Sequence, residues 1–178
     1  MKTVNIFRIS VAVIFVLLLH FGLYAQNGDK VITESRTAKS TFLKKDESMQ
    51  KFFKEAYAYV IFPHIGKGAV VVGGAGGDGA VFEKGKAIGK AKIGQVTVGA
   101  QVGGQSYREV IFFEDKAALD RFKENKLEFS GQLSAVAAKS GASLNAKYRE
   151  GVAVFTDTNG GLMAEASVGG QKFTYKSL

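Results

Sequence analysis

The chain has no cysteine, no tryptophan and a single proline, and only two of its residues are histidine. The missing cysteine excludes disulfides, thiol chemistry, cysteine–metal sites and a lipid-modified N-terminal cysteine. The shortage of histidine removes most nucleophile–base arrangements. His20 falls in the apolar N-terminal stretch, which leaves His64, beside Pro63, as the one candidate base. A zinc site would then depend mainly on carboxylates, which zinc rarely accepts. No tightly spaced carboxylate pair suggests glycoside chemistry. His64 reads as a surface or turn residue, and the chain as neither an enzyme nor a cofactor carrier.

What is present begins with a leader-like segment. A basic start from Met1 to Arg8 precedes an apolar run from Ile9 to Leu19, and Leu23-Tyr-Ala25 precedes polar Gln26. That is the layout of a secretory signal peptide, 1–25, cleaved after Ala25. The alternative is an uncleaved anchor, although the stretch barely reaches the roughly 17 residues a spanning helix needs. Residues 26–178 are expected to form one domain, exported to the periplasm or beyond. Its 22 basic and 16 acidic residues give a net charge of +6, which suits an anionic partner.

From Asp29 to Tyr57, Ala38, Phe42, Met49, Phe53 and Ala56 recur on one helical face. Asp46-Glu47-Ser48 supplies capping chemistry for a second helix, so two helices are predicted with a break near Lys45. Strands follow. Pro63 should turn the apolar run Tyr57–Phe62 or make it an edge. Val70–Val72 and Ala80–Phe82 read as a hairpin around a Gly73–Gly79 turn. Val96 to Gly103 alternates with a period of two, and Val110–Phe113 is a short buried strand. Asp115 caps a helix to about Glu124, with Ala118, Leu119 and Phe122 inward. The stretch 129–148 is open between strand and helix. Val152–Phe155 and Leu162–Val168 form a hairpin with Asn-Gly as its turn signal, and Phe173–Tyr175 closes the chain. The fold class is α+β: a predominantly antiparallel, strongly curved sheet or partly closed barrel, with N-terminal helices and one internal helix.

Gly74-Ala-Gly-Gly-Asp-Gly79 satisfies the Gly-x-Gly-x-x-Gly pattern, but a strand rather than a helix follows it, so no pyrophosphate cradle is expected. The order Ala56, Phe62-Pro63, Lys67, then Gly73-Gly74, Gly77 and Gly79 resembles the SYLF family. The glycine/glutamine segment Val98–Ser106 and the closing Val154–Gly170 extend the likeness over most of the chain after Val31. Ala58 departs from it where the family has glycine, and Gly68-Ala69-Val70 replaces Ala-Gly-Phe. The resemblance implies binding of anionic lipid, phosphoinositides in eukaryotic members, with actin association in a fungal one, and no established enzyme activity.

Lys67, at a position the family fills with lysine, is a candidate phosphate contact. Lys84, Lys86, Lys90 and Lys92 could make a basic stripe on one strand face. In the N-terminal helices Lys44, Lys45, Lys51 and Lys54 could meet a bilayer, with Phe42, Leu43, Phe52 and Phe53 inserting; the alternative is that these rings pack on the sheet. The lipid-binding set is therefore Lys67, Lys44, Lys45, Lys51, Lys54, Lys84 and Lys86. The expected role is a non-catalytic, peripheral module for anionic phospholipid or phosphorylated lipid at the bacterial envelope. An envelope protein binding a protein or glycan is the alternative, and nucleic acid is not an expected partner. An integral outer-membrane barrel fits the glycines and alternation, but not the helical N-terminal third or the Asp115–Glu124 helix.

Overall fold

The computed structural model describes residues 30–68, 73–97, 106–127, 136–137, 143, 146–158, 161–164 and 171–178. Helices α1 (30–45) and α2 (Met49–Glu55) come first. The strands are β1 (Ala58–Gly68), β2 (Gly73–Glu83), β3 (Lys86–Thr97) and β4 (Ser106–Phe113). Helix α3 (Lys116–Lys123) follows, then β5 (Val136–Ala137), β6 (Val152–Thr158), β7 (Gly161–Ala164) and β8 (Gln171–Ser177). Among the described residues these strands form one antiparallel sheet in the order β5-β7-β6-β4-β1-β2-β3-β8. Two of its strands are ends, β5 and β8, so the sheet is open.

It is strongly curved. Three strands separate β4 from β8, a distance of about 19 Å in a flat sheet. Yet Gln171 Nε2 of β8 donates to Glu109 Oε2 of β4 at 3.2 Å. The rings of Phe62 on β1 and Phe173 on β8 lie 6.0 Å apart. The concave side is filled by Val60, Phe62, Val81, Ile93, Ile111, Phe113 and Val154, closed by Leu119 and Phe122 of α3. The convex side carries Tyr59, Ile61, Phe82, Val110, Phe112 and Phe155, covered by Phe42, Met49, Phe52 and Phe53 of α1 and α2. The helices thus divide between both faces. With both faces covered, Ala58–Phe62 of β1 and Val110–Phe113 of β4 need apolar residues at odd and even positions alike, which is why these parts read as unbroken apolar runs.

The two-helix expectation holds. Asp46 Oδ1 accepts the Ser48 N–H at 3.0 Å, and the Ser48 hydroxyl also donates to it. The chain thereby leaves α1 and restarts as α2. The insertion alternative does not hold. Phe42 is fully buried, and Phe52 and Phe53 pack on Phe112 with centroids at 5.3 and 4.8 Å. Emptying one such phenylalanine site costs roughly 3–5 kcal/mol; these rings are core.

Two turn expectations are corrected. Pro63 neither turns the chain nor lies on an edge, since β1 runs through it between β2 and β4. The register instead shifts from Phe62 to Ile65 against β4 and from Ile61 to Gly66 against β2, a bulge that tolerates the missing N–H. The Gly73–Gly79 segment is likewise strand, the first part of β2. Its glycines answer the bulge opposite. A Cβ on Gly77 would stand 2.4 Å from the His64 carbonyl oxygen, and one on Gly79 2.6 Å from both the Ile61 oxygen and the Phe62 ring.

The tight turn falls later, at Lys84-Gly85, with φ of 49° and 79°. Positive φ at both positions suits a two-residue hairpin. Helix α3 starts as expected, its Ala118 N–H bonding Asp115 Oδ1 at 2.8 Å. The β6–β7 hairpin is present, paired from Thr158↔Gly161 outward. The alternation predicted at 98–103 and most of the ambiguous 129–148 stretch lie outside the described residues.

Candidate functional site

The lysines singled out from sequence do not form one surface. Lys44, Lys51 and Lys54 are exposed on α1 and α2. Lys45 is committed elsewhere, its ammonium pairing with Asp157 Oδ1. Arg108 Nη1 meets the other oxygen at 2.9 Å. The Asp157 side chain is only 1% exposed, so this two-cation clamp ties α1 to β4 and β6. Lys39 is also structural: its ammonium lies 4.6 Å from the Phe53 centroid and donates to Tyr59 Oη at 3.2 Å. Burial lowers its pKa. Lys84 and Lys86 sit at the β2–β3 turn, level with the start of β1, through Ala58↔Glu83 and Glu83↔Lys86. Lys67 is nine residues further along β1, about 30 Å away. Its side chain lies outside the described residues.

The lysine stripe fails for a reason of parity. Between Val81↔Gly89 and Phe82↔Ala87 the register shifts, leaving Ile88 as an extra residue. One inserted residue reverses which face later side chains take. Lys86 therefore stands on the concave side with Val81, whereas Lys90 and Lys92 alternate with concave Ala91 and Ile93 and stand on the convex side.

There they help to line a cleft of about 820 Å³. Its walls are Lys30, Val31 and Glu34 of α1, Pro63 and His64 at the bulge, Gly77–Gly79 of β2, 90–92 of β3 and 174–176 of β8. Helix α1 crosses the sheet with Ser35 Oγ donating to the Ile61 carbonyl at 3.1 Å, so its first turn overhangs the bulge and leaves β3 and β8 uncovered. Four lysines reach this space: Lys30, Lys90, Lys92 and Lys176. Two carboxylates share it. Glu34 lies 3.9 Å from Lys30, and Asp78 lies 3.6 Å from Lys92. Lys90 and Lys176 have no carboxylate partner among the described residues. His64 is exposed at the rim. Sequence reading missed Lys30 and Lys176. The available signal was period-two alternation in Lys172-Phe-Thr-Tyr-Lys176, which places both lysines opposite buried Phe173.

The chemistry on offer is anion binding. Among the described residues no group of acidic or histidine side chains could hold a metal ion, and no helix is long and apolar enough to cross a membrane.

Residues 94–177 match the model of the Ysc84 family, described as Las17-binding protein actin regulator. The chain is also similar to Beta cell expansion factor A from Aeromonas veronii, 30% identical over 141 residues. That alignment covers 79% of this chain and 54% of the relative, so the chain spans about half the length of the curated relative it matches.

Proposed function

Because this chain belongs to the SYLF (Ysc84) family, we propose that it is a peripheral, non-catalytic module that binds anionic membrane lipid at the bacterial envelope. The family is one of binding domains, linked to actin and to lipid. The cleft carries the reading: four lysines converge on it, and both carboxylates within it already face a lysine. Each lysine near an anionic surface contributes about 1 kcal/mol. With two of the four facing a carboxylate, the net contribution is about 2 kcal/mol, weaker than millimolar affinity. Useful attachment therefore needs the headgroup to enter the cleft, where the lysines act at close range. Export fits this role, since the leader-like residues 1–25 would deliver the domain to a membrane surface.

Co-sedimentation with vesicles tests the proposal. The protein should sediment with anionic but not neutral vesicles at physiological salt, and Lys30→Ala/Lys92→Ala should weaken binding more than tenfold. Equal sedimentation with neutral vesicles would contradict it. Absence of sedimentation with any vesicle would turn the search to a protein or glycan partner.

A further inference from the structure

One cross-strand pair in the cleft runs against the ordinary rules of sheet stability. Lys90 on β3 and Lys176 on β8 are direct register partners and line the same cleft. Like charges placed directly opposite destabilise a sheet, and Lys176 lies on the strand that ends the described sheet. The neighbour of Lys90 on its other side is Ala80 of β2, fully buried and without charge. One row along, Asp78, Lys92 and Thr174 stand side by side, and there the lysine has its acid at 3.6 Å. Lys30 has Glu34. Among the described residues, the cleft thus neutralises two of its four lysines and leaves two adjacent ones uncompensated.

We infer that Lys90 and Lys176 form a subsite for a phosphomonoester dianion, with the Thr174 hydroxyl beside them as a further donor. A phosphomonoester brings nearly two negative charges and three terminal oxygens at neutral pH. It can meet both ammonium groups at once. A phosphodiester brings one charge and leaves one lysine unmatched. Lysine meets phosphate as a point charge without bidentate geometry, which suits two flexible ammonium groups arriving from adjacent strands. The inference rests on the proposal that the cleft is the anion-binding face, and it selects the class of anion. The monoester can belong to a lipid headgroup or to a soluble molecule.

The experiment uses the purified full chain with vesicles containing phosphatidate or phosphatidylglycerol at matched surface potential, and with soluble glycerol 3-phosphate and dimethyl phosphate. Phosphatidate vesicles should be bound about fivefold more tightly, the equivalent of one additional lysine–phosphate contact. Lys90→Gln and Lys176→Gln should each abolish that preference, and the exposed site of Lys176 keeps the second variant informative if the first unfolds. Lys90→Glu should raise the Tm of the ligand-free protein, because it converts a repulsive pair to an attractive one. Equal binding of the two anionic vesicles by wild type overturns the subsite and leaves the membrane proposal standing. If no vesicle binds, but glycerol 3-phosphate raises the Tm of wild type and not of Lys90→Gln, the subsite stands with a soluble ligand and the membrane proposal falls. If neither vesicle nor monoester has an effect, both fall.

Discussion

Gly77 and Gly79 are glycine because Pro63 bulges the strand opposite, and the contact distances turn that statement into a prediction. Gly79→Ala must relieve clashes with both the Ile61 carbonyl and the Phe62 ring, each 2.6 Å from the new atom. It should cost roughly 1–3 kcal/mol. Gly94→Ala meets nothing within 4 Å and should change stability by less than about 0.5 kcal/mol. Urea unfolding of the two variants checks both numbers. Tyr148 makes a second residue-scale case. Burial, helped by Glu114 and Glu55, pushes its pKa up to about 12, and its hydroxyl has no hydrogen-bond partner among the described residues. The folded state holds this proton more tightly than the unfolded chain. Its contribution is therefore complete below about pH 10 and declines as pH rises from there toward 12. Tyr148→Phe should be neutral or stabilising at pH 7, and should remove the most alkaline phase of a phenolate absorbance titration. Retention of that phase in the variant would refute the assignment.

At the scale of elements, the joint between α1 and α2 is the best-defined polar feature. Burial alone pushes the Asp46 carboxyl up, but hydrogen bonds from Ser48 and Ser143 together hold it below the ordinary carboxylate value. Ser143 reaches Asp46 Oδ2 through its N–H at 3.1 Å and its hydroxyl at 2.9 Å. The joint thus also anchors a segment distant in sequence. The stabilisation is present above the unfolded value near pH 4 and is lost as pH falls through the lower folded value. Asp46→Asn should cost about 1–3 kcal/mol at pH 7 and flatten the acid limb of a stability–pH curve. An unchanged acid limb would show that Asp46 is not the responsible group. Elements of this kind were legible in the sequence, because capping residues act locally: Asp46 and Ser48 marked one break, and Asp115 marked the start of α3. Bulges were not legible. The register shifts at Pro63 and Ile88 are relations between two strands, and a single strand's residues do not state which partner it will meet. That is why Gly73–Gly79 reads as a turn and Lys84 to Lys92 as one stripe.

Across the whole molecule, the seven lysines predicted from sequence are dispersed because charge is read along the chain, whereas a surface is assembled across it. Lys30 and Lys176 lie near opposite ends of the described chain and meet only because β8 pairs with β3 while α1 overhangs the bulge. The dispersal separates structural from binding lysines experimentally. Asp157→Ala strands two cations beside each other and should cost roughly 2–4 kcal/mol. Lys45→Ala should cost about 1–2 kcal/mol, and the exposed Lys44→Ala less than about 0.5 kcal/mol, by thermal or urea unfolding. None of the three should alter the preference for anionic vesicles once stability is accounted for. The central claim is that the cleft face is the one that meets the membrane. The absence of native cysteine allows a single environment-sensitive label to be placed at Thr174→Cys in the cleft or at Lys51→Cys on α2. On addition of anionic vesicles the label at 174 should brighten and shift to the blue, and the label at 51 should not respond. A response at 51 with silence at 174 would contradict the account.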